Sequence, residues 1–250
     1  MTAPTVGRSS VVAYARLSLV ELVRIPAFLL PTLAFPAVLF LFFGRPSAHS
    51  PDQSWGIVVS FAAFAVLGVL LFQFGVGIAA ERESAWERYV RTLGAPAWKR
   101  LAARIVSALL FSIASLMPLT VMAIFTTDLA PSAVHAVAAV FAVLAGSIPF
   151  GLLGVAIGYW APPRGALPIT NLVYLPLAYL GGLFGDGAAP RSGLQRVVGW
   201  LPTRIWLDIV SAAARGQTVW NDTWRLALWG VAFFVAAWFG YNRDQGRQYR

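Results

Sequence analysis

The chain has 250 residues, of which 58% are hydrophobic and 12% are charged, and its mean hydropathy is +0.70. The charged share is about half of that in soluble domains, so a water-soluble fold could not bury this much apolar surface and the predicted solvent is lipid. The absence of cysteine excludes disulfides and thiolate metal sites, and the net charge of +9 is expected to mark the cytoplasmic side of a membrane rather than a nucleic-acid surface.

The N-terminal segment is not predicted to be a cleavable signal. Arg16, Glu21 and Arg24 interrupt any apolar core, and no A-x-A site follows one. Residues 9–24 instead carry apolar side chains at helical spacing. This pattern predicts an interfacial helix that lies on the inner leaflet before the first span.

Six stretches of the sequence contain no Asp, Glu, Lys or Arg, and each is long enough, or nearly so, for one helical crossing of about 20 residues. The sequence therefore predicts an all-α membrane protein with six transmembrane helices in a single domain over residues 1–250. The run 129–163 counts as one span, because its first residues, 130–136, resemble a loop. The predicted spans cover approximately residues 26–44, 56–79, 101–124, 137–160, 165–184 and 224–241.

The distribution of Lys and Arg predicts the orientation of these spans. An even number of spans places both termini on one side of the membrane. If that side is the inner one, 13 of the 19 cationic residues lie inside and six lie outside. Because cationic residues concentrate on the cytoplasmic side, both termini are predicted to be cytoplasmic.

The densest charge cluster, from Glu81 to Gly94, lies between the second and third predicted spans. Helical periodicity separates its side chains into an apolar face and a charged face. The apolar face holds Trp86, Tyr89, Val90 and Leu93, and the charged face holds Glu83, Glu87 and Arg91. The cluster predicts a short amphipathic helix on the cytoplasmic surface. An ordinary cytoplasmic loop with interfacial anchors is an alternative that periodicity leaves open.

The connection before the last span, residues 186–222, is also patterned rather than simply polar. One apolar stripe precedes Leu201 and a second follows Pro202, at helical spacing. Two short helices that dip into the outer leaflet fit this pattern better than a solvated loop. The sequence therefore predicts an outer re-entrant helical hairpin.

Several chemistries are excluded by missing motifs. The single lysine, Lys99, follows Trp98, so no GxxxxGK[ST] nucleotide-binding loop exists. The two histidines, His49 and His135, do not form a zinc motif, and no nucleophile–base pair is visible. We therefore predict no catalytic residues, no metal and no cofactor in this chain.

The interiors of the predicted spans carry no charged side chain, since Arg104 and Arg225 lie within a turn of a predicted end, although ion-coupled carriers usually need a charge inside the membrane. Energy for any transport is therefore expected to come from outside the chain, with the 81–94 helix as its receiver. Polar and aromatic spanning residues could line a lateral path for a substrate, although helix packing explains them equally well. These candidates are Gln73, Thr170, Asn171, Tyr174 and Tyr179.

Three segments together resemble the membrane subunit of ABC-2 type transporters, over nearly the whole chain. They are LVRIPAFLLPTLAFPAVLFLFFG in the first span, ERESAWERYVRTLGAPAWKRLAARIV after the second, and NLVYLPLAYLGGLF followed by GLQRVVGWLPTRIWLDIV. The second resembles the cytoplasmic coupling helix of that family, with Ser84-Ala85 where the family usually has Gly-Thr. The third resembles its fifth span and outer hairpin.

The resemblance implies a permease subunit of an ATP-driven exporter in a prokaryotic cytoplasmic membrane. Its partners would be two copies of a separate ABC ATPase subunit, which holds ATP-Mg, a second permease copy or paralogue, and membrane lipids, but no nucleic acid. The cargo would be an amphiphile such as a drug, a lipid or a glycan-lipid. A membrane scaffold without transport and a secondary carrier are the alternative functions.

Roles for individual residues also follow from the resemblance. Contact with the ATPase is implied for Glu81, Arg82, Glu83, Glu87 and Arg88. Packing of the coupling helix against its own membrane domain is implied for Trp86, Tyr89 and Leu93.

Overall fold

The computed structural model describes residues 26–82, 84, 97–185, 195–218 and 220–248. Every regular element within these ranges is a helix, which agrees with the predicted all-α class. The predicted interfacial helix 9–24 and most of the predicted coupling helix lie outside the described residues.

The first two helices form an antiparallel pair. Helix α1 spans Pro26–Leu39 and continues through a π-helical turn, Phe40–Gly44, and a 3-10 turn, Arg45–Ser47. Helix α2 runs over Pro51–Glu81 and contains a π-helical segment at Leu71–Val76. Ser50 caps α2, because its hydroxyl accepts a hydrogen bond from the Gln53 backbone N–H at 3.3 Å.

The next three helices are α3 (Ala97–Thr126), α4 (Ala133–Gly146) and α5 (Ile148–Trp160). Ser147 separates α4 from α5, and the two together form one candidate span, Ala133–Trp160, by length and hydropathy. Helix α4 begins at Ala133, inside the stretch 130–136 that the sequence predicts as a loop. Ser132 explains this earlier start, because its hydroxyl accepts from the His135 backbone N–H and caps the helix.

The last four helices are α6 (Ala166–Leu180), α7 (Gln195–Val198), α8 (Pro202–Ala214) and α9 (Trp220–Gln248). The short helices α7 and α8 flank the predicted break at Leu201. Helix α9 extends beyond the predicted span at both ends, because charged residues leave the hydrocarbon core without ending a helix.

Four helical segments of the described chain have the length and hydropathy of a membrane span, and these findings make the protein a multi-pass membrane protein. They are Pro51–Glu81, Arg104–Thr126, Ala133–Trp160 and Asp222–Gln245. The predicted first span, residues 26–44, coincides with α1 and the two turns that continue it, and the apolar helical segment identified there is Leu33–Ser47. The predicted fifth span, α6, has 15 residues and so is about 22 Å long, against about 30 Å of hydrocarbon. Six spans therefore stay a prediction.

Helix α2 is the centre of the bundle. In its most apolar window 89% of the residues are buried, against 39%, 39% and 17% for the other three candidate spans. Two glycines let α5 approach the π-helical segment of α2. A methyl group added at Gly154 would lie 2.9 Å from the Leu70 carbonyl oxygen, and one at Gly158 would lie 2.6 Å from that of Phe74. This GxxxG pair brings the two helix backbones into direct contact.

Candidate coupling site

The candidate site lies where α2 ends, at Glu81 and Arg82. These two residues begin the charge cluster that the sequence singles out. Arg82 follows the last helical residue, and its side chain is only 13% exposed. A cation this buried is expected to have polar partners nearby.

The Arg82 guanidinium satisfies the end of another helix. Its Nη1 donates to the carbonyl oxygen of Tyr159 at 2.6 Å, and its Nη2 donates to that of Ala161 at 2.5 Å. The last carbonyls of an α-helix have no partner within the helix and carry the negative end of its dipole. Arg82 therefore caps α5 with both hydrogen bonds and positive charge.

The same guanidinium also reaches the last helix. Arg82 Nη1 lies 3.5 Å from a carboxylate oxygen of Asp244, which belongs to α9 and is 15% exposed. Arg82 thus joins the ends of α2, α5 and α9 at one point. We call Arg82, Asp244 and the carbonyls of Tyr159 and Ala161 the Arg82 junction.

A second ion pair adds α3 to this end of the bundle. Arg104 of α3 pairs with the carboxylate of Glu81. The Glu81 side chain is 57% exposed, so solvent screens the pair and its contribution to stability is small. The pair nevertheless connects α2 to α3, the helices before and after residues 82–96.

Aromatic packing fixes α5 against α9 next to the junction. The Trp160 indole N–H donates to the Ala236 carbonyl oxygen at 2.9 Å, and the rings of Tyr159 and Tyr241 meet edge to face at 5.4 Å. The guanidinium of Arg243 lies 5.1 Å from the Trp160 ring, within cation–π range. These three contacts hold the end of α5 against α9.

The predicted coupling residues divide into two groups. Glu81 and Arg82 are described, and Arg82 directs its guanidinium into its own bundle. The other five, Glu83, Trp86, Glu87, Arg88 and Tyr89, lie outside the described residues, so their roles stay predictions. Arg82 is the second residue of the predicted coupling helix, 81–94, and the rest of that helix follows it directly in the chain.

The predicted substrate-path residues do not form one open path. Gln73, Thr170 and Tyr174 are buried, at 8%, 0% and 4% exposure. Asn171 is half-buried and donates to the Leu167 carbonyl oxygen, while Tyr179 is 52% exposed. Only Asn171 and Tyr179 are therefore open to a ligand.

The buried members of this set hold α6 against α2. The Tyr174 hydroxyl donates to the Phe64 carbonyl oxygen at 3.2 Å, and the two rings stack at 5.0 Å. Thr170 lies against Gly75, where an added methyl group would be 3.0 Å from the threonine hydroxyl. Helix packing accounts for Tyr174, whereas the buried hydroxyl of Thr170 has no hydrogen-bond partner among the described groups.

Asp244 is the part of the site that the sequence pattern did not single out. It lies 162 residues after Arg82, in a C-terminal segment otherwise marked by Arg243, Arg247 and Arg250. A lone acidic residue inside a basic segment is a signal for an ion-pair partner.

Among the described residues there is no group of three or more His, Cys, Asp or Glu that could hold a metal ion.

Two comparisons with known proteins bear on this arrangement. The sequence model of one family, described as ABC-2 type transporter, matches residues 10–214. A relative from Bacillus subtilis (strain 168), described as "Putative transport permease YvfS", is 25% identical over 212 residues. The aligned part covers 83% of this chain and 85% of the relative.

Proposed function

The chain belongs to the ABC-2 type transporter family, and from that premise we propose that it is the permease subunit of an ATP-driven exporter of an amphiphilic substrate. It works with two copies of a separate ATPase subunit, which bind ATP-Mg, and with a second permease copy or paralogue. It is a non-catalytic subunit of the cytoplasmic membrane of a prokaryote, with both termini in the cytoplasm.

The observation that carries the proposal is the Arg82 junction. A subunit without a nucleotide-binding loop has to receive mechanical work at a defined point. Arg82 lies at the start of the predicted coupling helix and is hydrogen-bonded to the end of α5 and paired with α9. A displacement of that helix is therefore delivered to three helices, because packed helices move as rigid bodies.

Under this proposal the predicted coupling residues have three different roles. Glu83, Glu87 and Arg88 contact the ATPase, Trp86 and Tyr89 seat the helix on the membrane domain, and Glu81 and Arg82 pass its motion into the bundle. Substrate contact is proposed for the accessible residues Asn171 and Tyr179, with Gln73, Thr170 and Tyr174 positioned behind them.

The test starts from co-purification of the full chain from native membranes, followed by identification of the bound subunits and lipids. An ABC ATPase is the expected partner. The complex is then placed in liposomes, and ATP hydrolysis and export of the co-purified amphiphile are measured. Export without the ATPase would support a secondary carrier, and a complex with no transport would support a scaffold.

The decisive variant reverses the predicted contact charges, Glu83→Lys with Glu87→Lys. Substrate-stimulated ATP hydrolysis is expected to be lost while membrane insertion is retained. Asp52→Lys with Asp128→Lys is the matched control, because both aspartates are exposed at the opposite end of the bundle. Unchanged stimulation in the first double variant contradicts the coupling role.

A further inference from the structure

A polar cavity of about 110 Å³ lies at the opposite end of the bundle from the Arg82 junction. It is lined by the first turns of α2, one face of α8 and the turn after α6, and it is partly open to its surroundings. Gly56 on its wall is 25 residues before Glu81, or about 37 Å along the helix axis. The cavity and the coupling site are therefore separate.

The wall contributed by α8 is a polar stripe. Arg204, Asp208 and Ser211 follow one another at intervals of four and three residues and so share one helical face, and Arg215 directly follows the last residue of α8. The opposite face of α8 is fixed by Trp206, which is fully buried and packs against Phe150 at 4.8 Å. This packing orients the polar stripe towards the cavity.

The charge of the cavity wall favours an anion. Arg204 pairs with Asp208 at 2.9 Å, so these two charges largely cancel. Arg215 is exposed, and no ion pair or hydrogen bond of its guanidinium occurs within the described residues. The wall therefore has two cations against one anion, together with the hydroxyls of Ser60 and Ser211.

The size and shape of the cavity limit the ligand. A volume of about 110 Å³ has room for several water-sized groups, which is enough for one small anionic group. Two guanidinium groups suit the oxygens of a phosphate, because each presents a planar fork of N–H donors.

The turn after α6 forms the third side of the cavity. Gly182 and Gly185 adopt φ angles of 80° and 90°, in the left-handed region that glycine adopts without strain. A methyl group at Gly182 would lie 3.3 Å from Arg204 Nη1, so this turn lies directly against the arginine. A bound anion would bridge α2, α8 and this turn.

We propose that this cavity is a binding site for a phosphate group with net negative charge, held by Arg204 and Arg215. The group comes either from the head of an anionic phospholipid or from a free phosphate. Binding at this site does not depend on the presence of an ATPase partner.

The experiment measures binding to the purified full-length chain in detergent. One arm titrates phosphatidylglycerol and, separately, phosphatidylcholine, and counts retained lipid by native mass spectrometry. The other arm titrates inorganic phosphate by calorimetry. Saturable binding of phosphatidylglycerol alone identifies a lipid headgroup, and saturable binding of inorganic phosphate identifies a free phosphate. No saturable binding in either arm overturns the proposal.

Three variants assign the bound anion to the cavity. Arg215→Gln is expected to weaken binding about tenfold or more, the effect of losing a charge-assisted hydrogen bond. Asp208→Asn is expected to strengthen binding, because it removes the competing carboxylate and releases Arg204. Arg45→Gln is the matched control, since Arg45 is exposed at the same end but does not line the cavity.

Two results contradict the assignment. Equal binding by Arg215→Gln and Arg45→Gln would place the anion elsewhere on the chain. Weaker binding by Asp208→Asn would mean that the cavity prefers a cation. Arg215 is exposed and Asp208 is partly exposed, so both variants are expected to fold, which size-exclusion chromatography checks.

Discussion

The guanidinium of Arg82 lies 2.6 Å from the carbonyl oxygen of Tyr159, at the C-terminal end of α5. The two residues are 77 positions apart in the chain, so the bond ties the end of α2 to a span that follows much later. It also places the start of the predicted coupling helix against the bundle that the helix is proposed to move.

Replacement of Arg82 is expected to lower both transport and the stimulation of ATP hydrolysis by substrate. Arg82→Gln removes the positive charge that caps α5 and pairs with Asp244, so motion no longer passes to α5 and α9. Substrate-stimulated ATP hydrolysis should fall, and thermal unfolding should show a loss of about 1–3 kcal/mol. Arg164→Gln is the control, because Arg164 is exposed just beyond the end of α5. A variant that exports at the wild-type rate argues against the junction.

The contact between α2 and α5 is expected to tolerate no side chain at Gly158. A methyl group there would be 2.6 Å from the Phe74 carbonyl oxygen, so Gly158→Ala should destabilise the bundle by about 1–3 kcal/mol. Gly230→Ala is a helical control whose new methyl group would lie 3.5 Å from Pro149. It should leave stability unchanged or raise it by up to about 1 kcal/mol. Thermal unfolding in detergent measures both, and equal losses would contradict the close approach.

The anchoring of α8 is expected to depend on Trp206. Truncation to alanine empties a fully buried site beside Gly146 and Phe150 and should cost about 3–5 kcal/mol. Trp206→Phe should cost less, because it keeps the aromatic contact and removes an indole N–H without a hydrogen-bond partner among the described groups. Trp238→Ala, at a side chain that is 54% exposed, is the control. If denaturation gave Trp206→Ala a loss of stability no larger than that of Trp206→Phe or Trp238→Ala, α8 would not be anchored by Trp206.

The two tyrosines of α6 are expected to respond differently. Tyr174→Phe removes a buried hydrogen bond to α2 and should lower stability by about 1 kcal/mol. Tyr179→Ala should leave stability unchanged, because the side chain is half exposed, and should change the apparent KM for the exported amphiphile. Transport assays and thermal unfolding on both variants separate the roles. An unaltered KM in Tyr179→Ala removes that residue from the substrate path.

The sequence was most informative where local chemistry decides the outcome. Charge-free runs located the apolar segments, and Pro202 marked the start of α8. The exact helix ends were less predictable, because a capping hydroxyl such as that of Ser132 starts α4 before its apolar run begins. Hydropathy also did not indicate which span is central, since α2 and its neighbours are similarly apolar.

The inward direction of Arg82 lay beyond sequence reasoning for a different reason. Periodicity assigns a side chain to a face of its own helix, but Arg82 stands just after a helix end. Its partners are separated from it by 77 to 162 residues, and only the assembled bundle brings them together. Long-range partners of this kind have no local signature.

The central position of α2 has a consequence for biogenesis. The most apolar window of this helix has a mean hydropathy of 2.5 and is the most enclosed of the four candidate spans, so little of it touches lipid in the finished protein. It is synthesised before α5, α6 and α8, the helices that later cover it, and it lies against lipid until they arrive. The apolar side chains of α2 are therefore required while the helix is inserted in lipid and the later helices have not yet been synthesised. A polar substitution such as Phe64→Asn would interfere with insertion of the nascent chain before the contacts with α5, α6 and α8 could form.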